Sequence, residues 1–333
     1  SAGFSSLNHE QLDSQGSKQL LLRRVIAGTL VLAGAGVATA AATPLLAPET
    51  PRQVLRDALE PPVDLYDYPS PLTRFRKYVK TMADDTLMTV KGLPKDERIR
   101  LAALDSYNGM VINVDPSAGG SFAPVGDASD IRSADTVEGR EAAELEFSIK
   151  DYQGVWVPSG GKLLGMELTG GREDELARSL FYSDSSESAL SSIGLTEGDA
   201  YTAKVLFPAK PSDEQLNELD LAQFRMPELA NVPAIAGAKA AEFTGSGRGD
   251  LERVRSIEAM LSGTGFFSNG TEGQVPSLSG HGAGRITSLL DAEQMIGDDE
   301  QYAVAMALMA REQGIPARVV MGFYPEEYAP EKA

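Results

Sequence analysis

Along most of the chain polar and apolar positions alternate, and from about Ser212 the period lengthens to that of a helix. Glu144, Glu146 and Ser148 alternate with Leu145, Phe147 and Ile149, which predicts a half-buried strand over 143–149. Strand-like pieces also occupy 86–90, 99–104, 109–114 and 201–207, separated by Gly/Ser/Asp-rich turns such as 116–121. No repeat joins them, so residues 72–207 read as a β-rich domain, a sandwich or similar. Beyond it, Ser212 is an N-cap followed by the acidic Asp213 and Glu214. Leu251, Val254, Ile257, Met260 and Leu261 share one face of an amphipathic helix over 250–261. A Gly-rich loop over 263–284 follows, then a short helix from Arg285 to Leu290.

The last pattern is the strongest. From Tyr302 to Ala310 the chain is apolar nearly all round, predicting a buried helix from about Asp298 to Gln313. Gly314 suits its C-cap and Pro316 prevents its continuation. Ala317 to Tyr324 is rich in β-branched and aromatic residues and reads as a strand. Asp298, Asp299 and Glu300 form an acidic helix start, which the macrodipole favours. Three consecutive helix residues do not converge on one point, so no metal site is expected there.

Near the other end, Val25 to Ala47 carries no charge. A bilayer crossing takes about 20 residues, so this segment is long enough to span as a transmembrane helix. Lys18, Arg23 and Arg24 precede it, which places residues 1–24 in the cytoplasm and the rest outside. Ala33-Gly34-Ala35-Gly36 would let a second helix approach closely. A signal peptide cleaved near residues 38–42 and a buried soluble helix are the other two readings. Prolines 48, 51, 61, 62, 69 and 71 make residues 48–71 a linker leaving the membrane.

Composition removes several classes. Lys+Arg 30 against Asp+Glu 48 gives a formal charge of −18, which repels nucleic-acid phosphate. The chain has no cysteine, so disulfides, thiolate metal sites and thiol chemistry are excluded. The only histidines are His9, ahead of the apolar segment, and His281, between two glycines. Asn269-Gly270-Thr271 matches a glycosylation sequon, but is read in preference as a simple turn.

Gly297-Asp-Asp-Glu-Gln-Tyr-Ala-Val-Ala-Met-Ala-Leu-Met-Ala-Arg311 and Gly314-Ile-Pro-Ala-Arg-Val-Val-Met-Gly-Phe-Tyr324 together resemble the core of the transglutaminase-like, papain-related superfamily. Gly280-His281-Gly282, Pro71-Leu-Thr-Arg-Phe-Arg76 and the stretch from Arg98 to Gly109 are similar to its bacterial membrane-anchored members. The resemblance implies an α+β fold with a β-rich extracytoplasmic region and a transglutaminase-like core over 208–333, C-terminally incomplete. It also implies a Cys nucleophile opening the buried helix. Here that position is Asp299, and a carboxylate is a poor nucleophile towards an amide. The candidate pocket is Asp298, Asp299, Glu300, Gln301, His281 and Arg285, with no catalytic residue, cofactor or metal assigned. The expected function is non-catalytic binding or assembly at the cell envelope, with membrane or envelope proteins, peptides or glycans as partners. The alternative is a hydrolase of amidase or protease type using Asp299 or residues beyond Ala333.

Overall fold

The computed structural model describes residues 64–325, apart from 116, 118–121, 126–140, 218–224 and 248. The apolar segment 25–47, and the linker ahead of Asp64, lie outside the described residues. Among the described residues no helix is long and apolar enough to cross a membrane. The described residues all fall in one compact unit. Its strands are β1 (Met88–Lys91), β2 (Ile99–Leu104), β3 (Ser106–Tyr107), β4 (Ile112–Asn113), β5 (Phe122–Pro124), β6 (Glu141–Ile149) and β7 (Gly154–Val157). They continue as β8 (Lys162–Thr169), β9 (Leu180–Ser183), β10 (Ser188–Leu195), β11 (Ala200–Phe207), β12 (Gly265–Phe267), β13 (Met295–Gly297) and β14 (Val319–Phe323). The helices are α1 (Phe75–Lys80), α2 (Glu173–Ser179), α3 (Asp213–Asn217), α4 (Ala234–Thr244), α5 (Asp250–Thr264), α6 (Ala283–Leu290) and α7 (Asp299–Glu312). The class is α+β.

Two antiparallel four-stranded sheets, β1-β6-β11-β8 and β5-β9-β10-β7, build the β-rich part. The alternation along β6 does what period two demands. Leu145, Phe147 and Ile149 are buried while Glu144 and Glu146 face solvent. Phe147 lies opposite Tyr201 of β11, their rings stacked with centroids 4.7 Å apart.

The helical part centres on α7, against which α4, α5 and α6 pack. Asp298 caps it by accepting from the Gln301 N–H while Gln301 Oε1 accepts from the Asp298 N–H, a complete capping box. At the far end Gly314 takes φ 74°, and the chain turns through Pro316 into β14.

β14 pairs antiparallel with β2, so the last strand joins the β-rich stretch directly. A register shift falls between Met321 and Gly322, and a Cβ on Gly322 would sit 1.9 Å from the Ile99 carbonyl oxygen. Only glycine permits that backbone approach. Arg311 of α7 donates to the Asp105 carbonyl at 3.2 Å and to that of Pro227. These ties fix the helix end against the strand region.

Candidate functional site

The start of α7 carries an interlocked polar cluster. Asp298, fully buried, receives Arg76 Nη2 on its Oδ2 at 2.5 Å. Arg76 comes from α1 and also donates to the backbone carbonyls of Asn269, Ser277 (3.1 Å) and Leu278 (3.2 Å). It therefore pins the loop after β12 to the helix start. Burial pushes the Asp298 carboxyl above its usual range, with Arg76 opposing that rise and Glu300 adding to it. The sequence reading did not single out Arg76 as a site residue. It stood only within the motif from Pro71 to Arg76, and its partner lies 222 positions away.

Glu300 and His281 form a second buried pair, 2.7 Å between Glu300 Oε1 and His281 Nδ1. The other ring nitrogen, Nε2, accepts from the Ile112 N–H at 3.0 Å. An acceptor at Nε2 puts the ring proton on Nδ1, which donates it to Glu300. Both nitrogens are thus engaged, and the residue is 2% exposed. Tyr107 donates to the His281 carbonyl at 3.1 Å, and burial raises its phenol to about 12, which keeps it a donor. His281 therefore ties the β3–β4 hairpin to α7.

Gln301 Nε2 donates to the Gly280 carbonyl at 2.9 Å. Arg285 of α6 donates to the Ile296 carbonyl at 2.7 Å and the Leu278 carbonyl at 3.0 Å, with Gln301 Oε1 at 3.4 Å. Desolvation lowers its pKa while Asp298 holds it up. Five of the six candidate residues are thus gathered into one network, four of them buried.

Asp299 is the exception. It is the first residue of α7 and exposed, and it borders a cleft of about 610 Å³ whose walls include Phe75, Arg98, Phe207, Val319, Met321 and Tyr324. Desolvation at the cleft edge raises its carboxyl pKa and Arg98 opposes the rise. The helix N-terminus favours the ionised form. The arrangement offers a charged oxygen at a cleft edge, with no thiol in the chain and the one described imidazole fully engaged. The asparagine of the sequon, Asn269, has a buried Oδ1 and a backbone carbonyl held by Arg76, which suits a structural turn. Among the described residues no group of His, Cys, Asp and Glu is arranged to hold a metal.

Residues 237–332 match the transglutaminase-like superfamily. That match begins within α4 and takes in the motifs between Gly297 and Tyr324. Among solved structures it is similar to the periplasmic domain of TgpA from Pseudomonas aeruginosa, at 16% identity with a TM-score of 0.49. That likeness covers 79% of this chain and 81% of the other. No curated protein matches.

Proposed function

We propose that this chain is a non-catalytic transglutaminase-like binding module of a bacterial membrane protein. In this reading the segment 25–47 anchors it, and its folded part meets proteins, peptides or glycans outside the membrane. The observation that carries the proposal is twofold: Asp299 stands where the resemblance puts the nucleophile, and His281, the one described imidazole, has both nitrogens engaged by Glu300 and the Ile112 N–H. Acyl transfer by a thiol needs a thiolate and a base to make it. A carboxylate at an exposed helix start, beside a cleft, suits recognition instead.

The test replaces Asp299 by cysteine in the full chain. With no free imidazole among the described residues, D299C should incorporate a fluorescent primary amine into a glutamine-containing protein no faster than the parent. Iodoacetamide-sensitive incorporation by the variant would sink the non-catalytic reading. Topology has its own check. In bacterial spheroplasts, added protease should cut epitopes placed in residues 64–325 and spare one within 1–20. The reverse pattern would remove the envelope from the proposal.

A further inference from the structure

The chain is strongly acidic, with a formal charge of −18, yet three stretches that meet in the fold hold no acid at all. Residues 68–83 carry Arg74, Arg76, Lys77 and Lys80. Residues 106–114, the β3–β4 hairpin, and 273–284, the loop into α6, carry no Asp, Glu, Lys or Arg, and His281 in the second is buried. Hydrogen bonds hold the three together. The Ala283 N–H donates to the Gly109 carbonyl at 2.7 Å, and Asn113 Nδ2 donates to the Tyr68 carbonyl at 3.2 Å. Arg76 donates to the carbonyls of Ser277 and Leu278.

What these loops offer to their surroundings is apolar. Met110 at the hairpin tip is 80% exposed, Leu278 75% and Val275 57%. Their backbones are committed. Asn108 Oδ1 accepts from the Met110 and Val111 N–H groups at 2.9 Å, and the Leu278 carbonyl accepts from Arg285 at 3.0 Å as well as from Arg76. Exposed apolar residues gathered from separate, tethered loops mark a contact surface. Lys77 beside them is exposed, with no hydrogen bond or ion pair among the described residues. The acids nearest in sequence, Asp67, Asp84, Asp105, Asp115 and Glu272, all fall outside the three stretches, so a negatively charged surface meets its least repulsion here.

We propose that these loops rest on the surface of a lipid bilayer containing anionic lipid, with Met110 and Leu278 entering the headgroup boundary and Lys77 facing the headgroups. This rests on the reading of 25–47 as a membrane anchor. The boundary of a bilayer accepts single apolar side chains to a depth of about 5–10 Å, and its anionic lipids attract nearby lysine and arginine. The described chain begins at Asp64, and Tyr68 is already bonded to the hairpin, so the chain enters the domain beside these loops. A tether at that entry raises the effective concentration of lipid there, which lets a small apolar contact count. A second copy of the chain would bring its own acidic excess with it, so the charges favour lipid as the occupant.

The test uses the full chain, whose lack of cysteine makes single labels clean. Met110→Cys, Leu278→Cys and Ile193→Cys each receive a nitrobenzoxadiazole label, and each protein is reconstituted in vesicles of phosphatidylcholine with a minority of phosphatidylglycerol. Ile193 is an exposed apolar residue of β10, outside the three stretches. Emission from labels at 110 and 278 should shift to the blue. Nitroxides high on the lipid acyl chains should remove roughly half of it, because they lie at the depth an interfacial side chain reaches. The label at 193 should keep its intensity. In a Met110→Asp, Val275→Asp background the quenching at 278 should vanish without a change in thermal midpoint, since both residues are exposed. Equal quenching at all three positions, or quenching at 278 that survives the two aspartates, would overturn the proposal. Labels at 110 and 278 that stay unquenched in a chain floating with its vesicles refute the lipid contact alone, and a blue shift without quenching gives the surface to a protein instead. A chain that does not float with the vesicles refutes the anchor, and this inference with it.

Discussion

Replacing Arg76 by methionine should cost about 3–5 kcal/mol of stability at pH 7, the range for removing one partner of a buried ion pair. Asp298 is fully buried and Arg76 is its only ion-pair partner among the described residues. Methionine keeps much of the aliphatic stem, so the loss reports charge and hydrogen bonding more than volume. The pH dependence separates these two. The Asp298 carboxyl already titrates above its unfolded value because burial outweighs Arg76, and removing Arg76 deletes the largest influence holding it down. A group whose folded pKa is raised binds its proton more tightly in the folded state. Its favourable contribution is complete below the unfolded value and is lost as pH rises through the folded one. The R76M deficit should therefore be largest at pH 7 and shrink as pH falls towards the raised Asp298 value. Lost donors to Asn269, Ser277 and Leu278 leave a residue of the deficit that pH does not move. Urea unfolding of parent and variant across that range decides it. A deficit constant with pH would mean that the ion pair contributes little beyond those backbone bonds.

The part of this cluster that could be read from sequence was the part built from neighbours in sequence. Asp298 and Gln301 stand at capping-box spacing and Gly314 at a C-cap, so α7 and its ends followed from local chemistry. β6 and much of β11 were legible because one face is buried and the other wetter, and β2 because it is an apolar run buried on both faces. β10 was not. Its run buries Ser188 and Ser191 along with Ala189 and Leu190, so hydroxyls interrupt the apolar pattern. Ser191 meets Ser179 at 2.9 Å, and Ser188 donates to the Ser186 carbonyl at 3.0 Å, which is how a strand hides polar residues inside. α4 went unread for the opposite reason. Ala236 and Ala240 are completely buried, yet alanine marks no face strongly enough to set a period. β12 and β13 have three residues each, too short for any periodicity; β12 falls inside the 263–284 stretch read as a glycine-rich loop, and β13 lies beyond α6.

The candidate pocket divides along the same line. Asp298, Asp299 and Glu300 are adjacent in sequence, yet the fold gives them different work: a cap, a cleft-edge charge and a buried partner for His281. Helical geometry requires such divergence, since successive residues point about 100° apart. Which one would face the cleft follows from what packs against α7, and that is set by α1, α6 and the loop before α6.

His281 gives the second large effect. His281→Ala should destabilise the chain by about 3–4 kcal/mol, because three groups lose their partners or support together. Glu300 is 3% exposed, and without the imidazole it keeps contacts only near 3.4 Å, from the Gly280 N–H and Gln301 Nε2. The Ile112 N–H loses its acceptor, and the cavity left behind removes packing from the β3–β4 hairpin. Glu300→Gln should cost less, about 1 kcal/mol, since an amide oxygen can still accept from Nδ1 and no charge is stranded. The double variant H281A/E300Q should be more stable than the sum of the two single losses predicts, because the second change removes the charge that the first one stranded. A free imidazole serving as a base would behave otherwise: H281A would leave the melting curve in place, and the two substitutions would add independently. Thermal and urea unfolding of the four proteins in that cycle distinguish a histidine that holds the helix start from one kept available for chemistry.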